Sequence, residues 1–104
     1  MVSERVRLES IRSEIEGRAR TDLLGDFDVS FLIEDFKERG IVPTNAQAIA
    51  LVKKLRLSLT AEHQGGWIVN RNIGEVEVRN RDANRAIVEC CAKAQVAKMQ
   101  EAET

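Results

Sequence analysis

The chain has 104 residues, 43% hydrophobic and 32% charged, a balance that belongs to globular rather than disordered proteins. Aromatic residues make up only 4% and tyrosine is absent, which argues against aromatic-rich binding patches and base-stacking platforms. The formal net charge is −1, so no overall basic excess forces a nucleic-acid partner, and the length suits one small domain over residues 1–104 with a modest core.

The first expected element is a helix from about Ser3 to Leu24. Leu8, Ile11 and Ile15 recur three and four apart, with Val6, Ala19 and Leu23 near the same side. That spacing makes one apolar stripe on a charged helix. Five arginines and five acids share the remainder. Glu14 and Arg18, and Glu16 and Arg20, stand four apart in the favourable order. Acids balance the arginines and no large aromatic anchors the stripe, so a membrane-surface role is not expected.

Gly25 can stop this helix, and Asp26 or Asp28 can cap the next, expected over Val29 to Arg39. Phe31, Leu32, Ile33 and Phe36 form its apolar face, with Glu34, Asp35, Lys37, Glu38 and Arg39 expected in water. Gly40 is placed as a left-handed C-cap. Pro43 holds Val42 extended, and Thr44 followed by Gln47 is a capping box ahead of an apolar-periodic run. A third helix is therefore expected from Asn45, with Ala48, Leu51, Val52 and Leu55 inward. Its end is ambiguous, because Leu55, Leu57 and Leu59 alternate like a strand while Val52, Leu55 and Leu59 keep helical spacing. Intrinsic propensity favours helix to about Thr60, with a short third strand as the alternative.

Gly65 and Gly66 mark a turn, after which WIVNRNIGEVEV reads as a hairpin. Trp67 and Val69 share one face, as do Val76 and Val78, with Glu75, Glu77 and Arg79 outside. Asp82 can cap a last helix from about Ala83 to Lys98. Its face is built from small residues, namely Ala83, Ala86, Ile87, Cys90, Ala94 and Ala97. Residues 99–104 are expected to fray.

Little in the chain points to chemistry. His63 is the only histidine, and Cys90 and Cys91 are the only cysteines and adjacent. Four spaced zinc ligands are not available, and neighbours on a helix do not readily bridge each other. Cys90 reads as a small buried hydrophobe and Cys91 as partly exposed. No glycine-rich loop precedes a helix in phosphate-binding form. Glu75 and Glu77 share a strand face but lack aromatics to line a cleft. The expectation is a non-enzyme without metal or cofactor. No signal-peptide pattern opens the chain and no stretch could span a bilayer, so a reducing cytoplasm and no membrane partner are expected.

The order helix, helix, helix, hairpin, helix resembles the general winged helix-turn-helix arrangement. The resemblance lies in element order alone, without a signature motif. It implies a recognition helix beginning at Asn45 and a hairpin as wing. Charge is polarised along the chain. Residues 25–43 carry a net −3, and residues 44–88 carry a net +3. On this reading Lys53, Lys54, Arg56 and Arg71 are candidate phosphate contacts and Asn45 and Gln47 candidate base readers of double-stranded DNA. A GIVPTN turn longer than the usual tight turn, and acids on the wing, weigh against it. The rival expectation is a protein-interaction or regulatory module. A homodimer built on the first or last helix would extend a limited core.

Overall fold

The structure is a computed structural model that describes residues 3–71 and 76–103, with side chains described as far as Gln95. Four helices and a small antiparallel sheet follow one another as α1 (Glu4–Arg20), α2 (Asp26–Arg39), α3 (Asn45–Leu55), β1 (Ser58–Ala61), β2 (Trp67–Arg71), β3 (Val76–Asn80) and α4 (Ala83–Glu103). The fold is mainly α, with the winged-helix-like order of three helices, a hairpin and a helix.

Each helix begins and ends for a local reason. Ser3 caps α1 by accepting from the Val6 amide at 3.3 Å. The helix stops at Arg20, earlier than the expected Leu24, because Asp22 turns left-handed at φ 57°. The Leu23 amide then bonds back to the Arg18 carbonyl at 2.9 Å and the Asp22 amide to Ala19 at 3.2 Å, a Schellman closure with aspartate in the place of glycine. α2 starts three residues before the expected Val29, since Asp28 reaches back to the Gly25 amide at 3.0 Å. It ends at Gly40, left-handed at φ 68°, as its sequence implies. α3 opens on the Thr44–Gln47 capping box: the Gln47 amide donates to Thr44 Oγ1 at 3.3 Å and the Thr44 amide to Gln47 Oε1 at 3.0 Å.

The expectation that α3 runs to about Thr60 is corrected. It ends at Leu55, with Arg56 left-handed at φ 53° and the Leu57 amide bonded to the Val52 carbonyl at 3.0 Å. Residues 58–61 form the short strand that the alternating leucines also fit. Helix propensity loses here to burial, because the αL step swings Leu57 into the core at 8% exposure. The sheet is therefore a three-stranded meander in the order β1-β2-β3. β1 pairs β2 from Ser58↔Asn70 to Ala61↔Trp67, and β2 pairs β3 from Trp67↔Asn80 to Arg71↔Val76. The expected turn around Asn72–Gly74 and the carboxylate of Glu75 lie outside the described residues.

Asp82 caps α4 by accepting from the Asn84 amide at 3.1 Å. The helix continues past the expected Lys98 to Glu103, through residues that are mostly good helix formers with no glycine or proline. α4 packs on the inner face of β2 and β3 and against α2 and α3, while α1 packs on α3. Ala86, Ile87, Val88, Cys90, Cys91, Ala92 and Ala94 are all buried there with Val69, Val78, Leu51 and Ile33. Small side chains let the helix approach closely enough to serve as the centre of a small core. Of the expected small-residue face, Ala86, Ile87, Cys90 and Ala94 are covered within the chain and Ala83 is half-buried, while the side chain of Ala97 lies outside the described residues.

Candidate functional site

α1 and α2 are joined by side chains that reach across their seam. Arg12 donates from Nε and Nη2 to the two carboxylate oxygens of Asp35, both at 2.8 Å. Arg18 does the same to Asp28 at 2.8 and 2.7 Å. Arg39 adds a third bond to Asp35 at 3.2 Å. Asp35 is only 2% exposed, so the expectation that it faces water is corrected. Arg18 draws the Asp28 carboxyl below the ordinary carboxylate range, against the opposing effect of burial, with help from the Gly25 amide. Both arginines are in turn held more firmly protonated by their aspartates. These forked pairs explain why Arg18 serves a residue of α2 and not Glu14. They position the helices and leave no reactive group free.

The candidate phosphate contacts gather at the far end of α3. Lys53 and Lys54 occupy its last turn and Arg56 is its cap. The β1–β2 register pairs Ser58 with Asn70, which carries Arg71 past the start of β1 toward the end of α3. There Arg71 lines one cleft of about 210 Å³ with Lys54, Leu55, Asp26, Ser30 and Cys91. Acids interleave with this cluster. Lys53 Nζ is 2.9 Å from Asp22, and Lys54 Nζ is 3.4 Å from Asp26. Asp22 and Asp26 come from the α1–α2 turn and the first residue of α2 and carry no signal of this pairing in the sequence.

Asn45 and Gln47 are at the opposite end of α3, about 15 Å away along a helix of this length. Gln47 is buried, and its amide oxygen is taken by the cap. Asn45 is exposed, and its Oδ1 accepts from Asn84 Nδ2 at 2.8 Å, a contact that ties the starts of α3 and α4 together. The outward line of α3 runs Asn45, Ile49, Lys53, with Ile49 56% exposed. Leu23 and Phe27 are also well exposed, at 68% and 65%. Each directly follows one of the acids that pair the lysines, and no sequence signal distinguished them from core residues.

The remaining candidates are quiet. His63 is exposed in the β1–β2 turn. Cys91 is buried, which corrects the expectation of partial exposure; burial pushes its thiol up to about 12, and the Cys90 thiol is raised for the same reason. Neither thiol is poised for nucleophilic chemistry. Among the described residues, no three His, Cys, Asp or Glu side chains gather as a metal would require. No helix among them is long and apolar enough to cross a membrane. No protein family, curated protein or solved structure matches this chain.

Proposed function

We propose that this is a small DNA-contacting, transcription-regulatory protein that works from the cytoplasm without a cofactor or catalysis. Lys53, Lys54, Arg56 and Arg71 grip phosphates of double-stranded DNA. The observation that carries the reading is that Lys54, from a helix end, and Arg71, from a strand end, line one cleft, with Lys53 and Arg56 next to Lys54 at the same helix end. The ion pairs of Lys53 and Lys54 do not oppose it. Both are exposed, and exposed pairs are weak enough for a lysine to exchange its carboxylate for a phosphate. With Gln47 committed to the cap, base reading at the start of α3 rests on Asn45, which must first release Asn84. The protein is therefore expected to bind by charge more than by sequence.

Fluorescence titration of duplex DNA across a salt series tests this. Each phosphate contact removed should lower the slope of log affinity against log salt by roughly 1. The Lys53→Glu, Lys54→Glu double variant should therefore bind more weakly with a shallower slope. Equal binding by wild type and variant, or binding by neither, would remove the proposed surface.

A second reading is a protein-interaction module, favoured by the exposure of Leu23, Phe27 and Ile49 beside the same ion pairs. On either reading the working form is a homodimer.

A further inference from the structure

β1 is an edge strand of four residues and, though short, it lacks the proline, lysine and inward charge that often keep an edge from pairing. Ser58-Leu59-Thr60-Ala61 contains no proline, no lysine and no inward charge, and all four residues are exposed. Its direction of hydrogen bonding follows from one contact: the Glu62 amide donates to the Gly66 carbonyl at 3.0 Å. Even-numbered residues of this stretch therefore turn their backbone groups toward β2. The backbone groups of Leu59 and Ala61 point away from β2, toward the open edge. The Leu57 carbonyl points the same way, while its amide is engaged with Val52.

We propose that the protein forms a two-fold homodimer by antiparallel pairing of β1 with the β1 of a second copy, making one six-stranded sheet. This takes up the homodimer reading above and assigns its interface to the sheet edge in place of the first or last helix. It does not depend on DNA binding. Backbone parity allows only registers in which odd-numbered residues meet odd-numbered residues. The register with Leu59 on the two-fold axis satisfies more than parity. Leu59, 37% exposed, then meets its own copy on the face that already carries Val69 and Val78. On the other face Ser58 meets the partner's Thr60, a hydroxyl pair suited to cross-strand bonding. Beyond the strand ends, antiparallel pairing brings the Arg56 end of each copy toward the Glu62 end of the other, and the symmetry repeats this approach. Leu59 exchanges two amide–carbonyl bonds with its copy, and each Ala61 amide reaches the partner's Leu57 carbonyl. Arg56 has no ion pair with any described residue, and Glu62 has one, with Arg79 at 3.5 Å.

The test uses the full-length chain without DNA. Sedimentation or light scattering from micromolar to millimolar concentration should return twice the chain mass of 11.7 kDa. Arg56→Glu alone and Glu62→Arg alone each place like charges together twice, and should weaken association roughly tenfold or more. Mixing the two variants restores both opposite-charge contacts, so the mixture should form a heterodimer that neither variant forms alone. Leu59→Lys puts two ammonium groups on the axis at an exposed position, and it should also give monomer. Circular dichroism confirms that each variant keeps its helices. A wild type that stays monomeric overturns the proposal, even if it binds DNA. So does a Leu59→Lys protein that remains dimeric, or a mixture of folded charge variants that fails to associate. A dimer that behaves as expected while binding no DNA supports this interface and removes only the DNA reading.

Discussion

At the α1–α2 seam, Arg12 and Arg18 each hold an aspartate by two hydrogen bonds of 2.7–2.8 Å. At the end of α3, Lys53 and Lys54 each touch an aspartate at one point, at 2.9 and 3.4 Å, with the ammonium groups in water. The charges are the same in both places, and the consequences differ because burial differs. Asp28 and Asp35 are almost wholly inside, so removing a partner strands a charge where water cannot reach it. Asp26 is fully exposed, and solvent and salt readily replace what Lys54 gives it. The planar guanidinium suits the first setting, since its fork matches a carboxylate; the compact ammonium suits the second, where a partner must be exchangeable. One region uses charge to set helix geometry. The other keeps charge available at the surface.

The comparison is broken most severely at Asp28. Asp28→Ala removes the forked bond from Arg18 and the cap on Gly25 together, and should cost roughly 2–3 kcal/mol in urea unfolding. The same carboxyl gives the seam a pH signature. Its folded pKa lies below its unfolded value, so its contribution is fully present above the ordinary carboxylate range. That contribution fades as pH falls through the lower folded value. Wild type should lose stability on acidification, and Asp28→Ala should lack that part of the slope. An unchanged acid limb in the variant would show that the seam carries no such linkage.

A smaller effect is expected at Thr44, which belongs partly to each kind of contact. It caps α3 and donates its hydroxyl to Glu16 of α1. Thr44→Ala should cost about 1 kcal/mol, read from the urea midpoint.

What the sequence revealed follows the reach of each interaction. The Thr44–Gln47 box and the Gly40 cap were legible because their partners lie within a few residues. Asp35 looks solvated in the sequence because its partner Arg12 is twenty-three residues away, and nothing in a helical wheel reports a counterion on another helix. The same limit hid Asp22 and Asp26 beside the lysines. The burial of Cys91 is not visible in the sequence because α4 is buried on more than one face, as only a central helix is. The end of α3 was ambiguous for a different reason. Leucines at 55, 57 and 59 fit both periods, and the outcome turned on an arginine taking a left-handed conformation that its residue type does not advertise. Charge alone singles out Lys53, Lys54, Arg56 and Arg71, but the meeting of Lys54 and Arg71 at one cleft depends on the strand register.

That left-handed arginine gives the next prediction. Glycine adopts φ 53° without a Cβ penalty, so Arg56→Gly should stabilise the fold by up to roughly 1 kcal/mol. On the DNA reading the same variant should bind DNA less well, with a shallower salt slope. Loss of stability would mean that the Arg56 side chain contributes more to the fold than its backbone costs.

The smallest structural effect, and the sharpest contrast with Asp28, is expected from neutralising the acids at the α3 end. Asp22→Asn with Asp26→Asn removes both counterions of Lys53 and Lys54 while keeping side-chain size. Because these pairs are exposed, the urea midpoint should not move measurably in moderate salt. Asparagine also tolerates the left-handed conformation that residue 22 adopts, so the α1 closure survives. The local charge rises by two, and both lysines are freed. On the DNA reading, affinity should therefore increase most at low salt, and wild type and variant should converge as salt rises. A stability loss like that of Asp28→Ala would erase the distinction between the two regions. An affinity that stays flat or falls would mean that these lysines do not face phosphate.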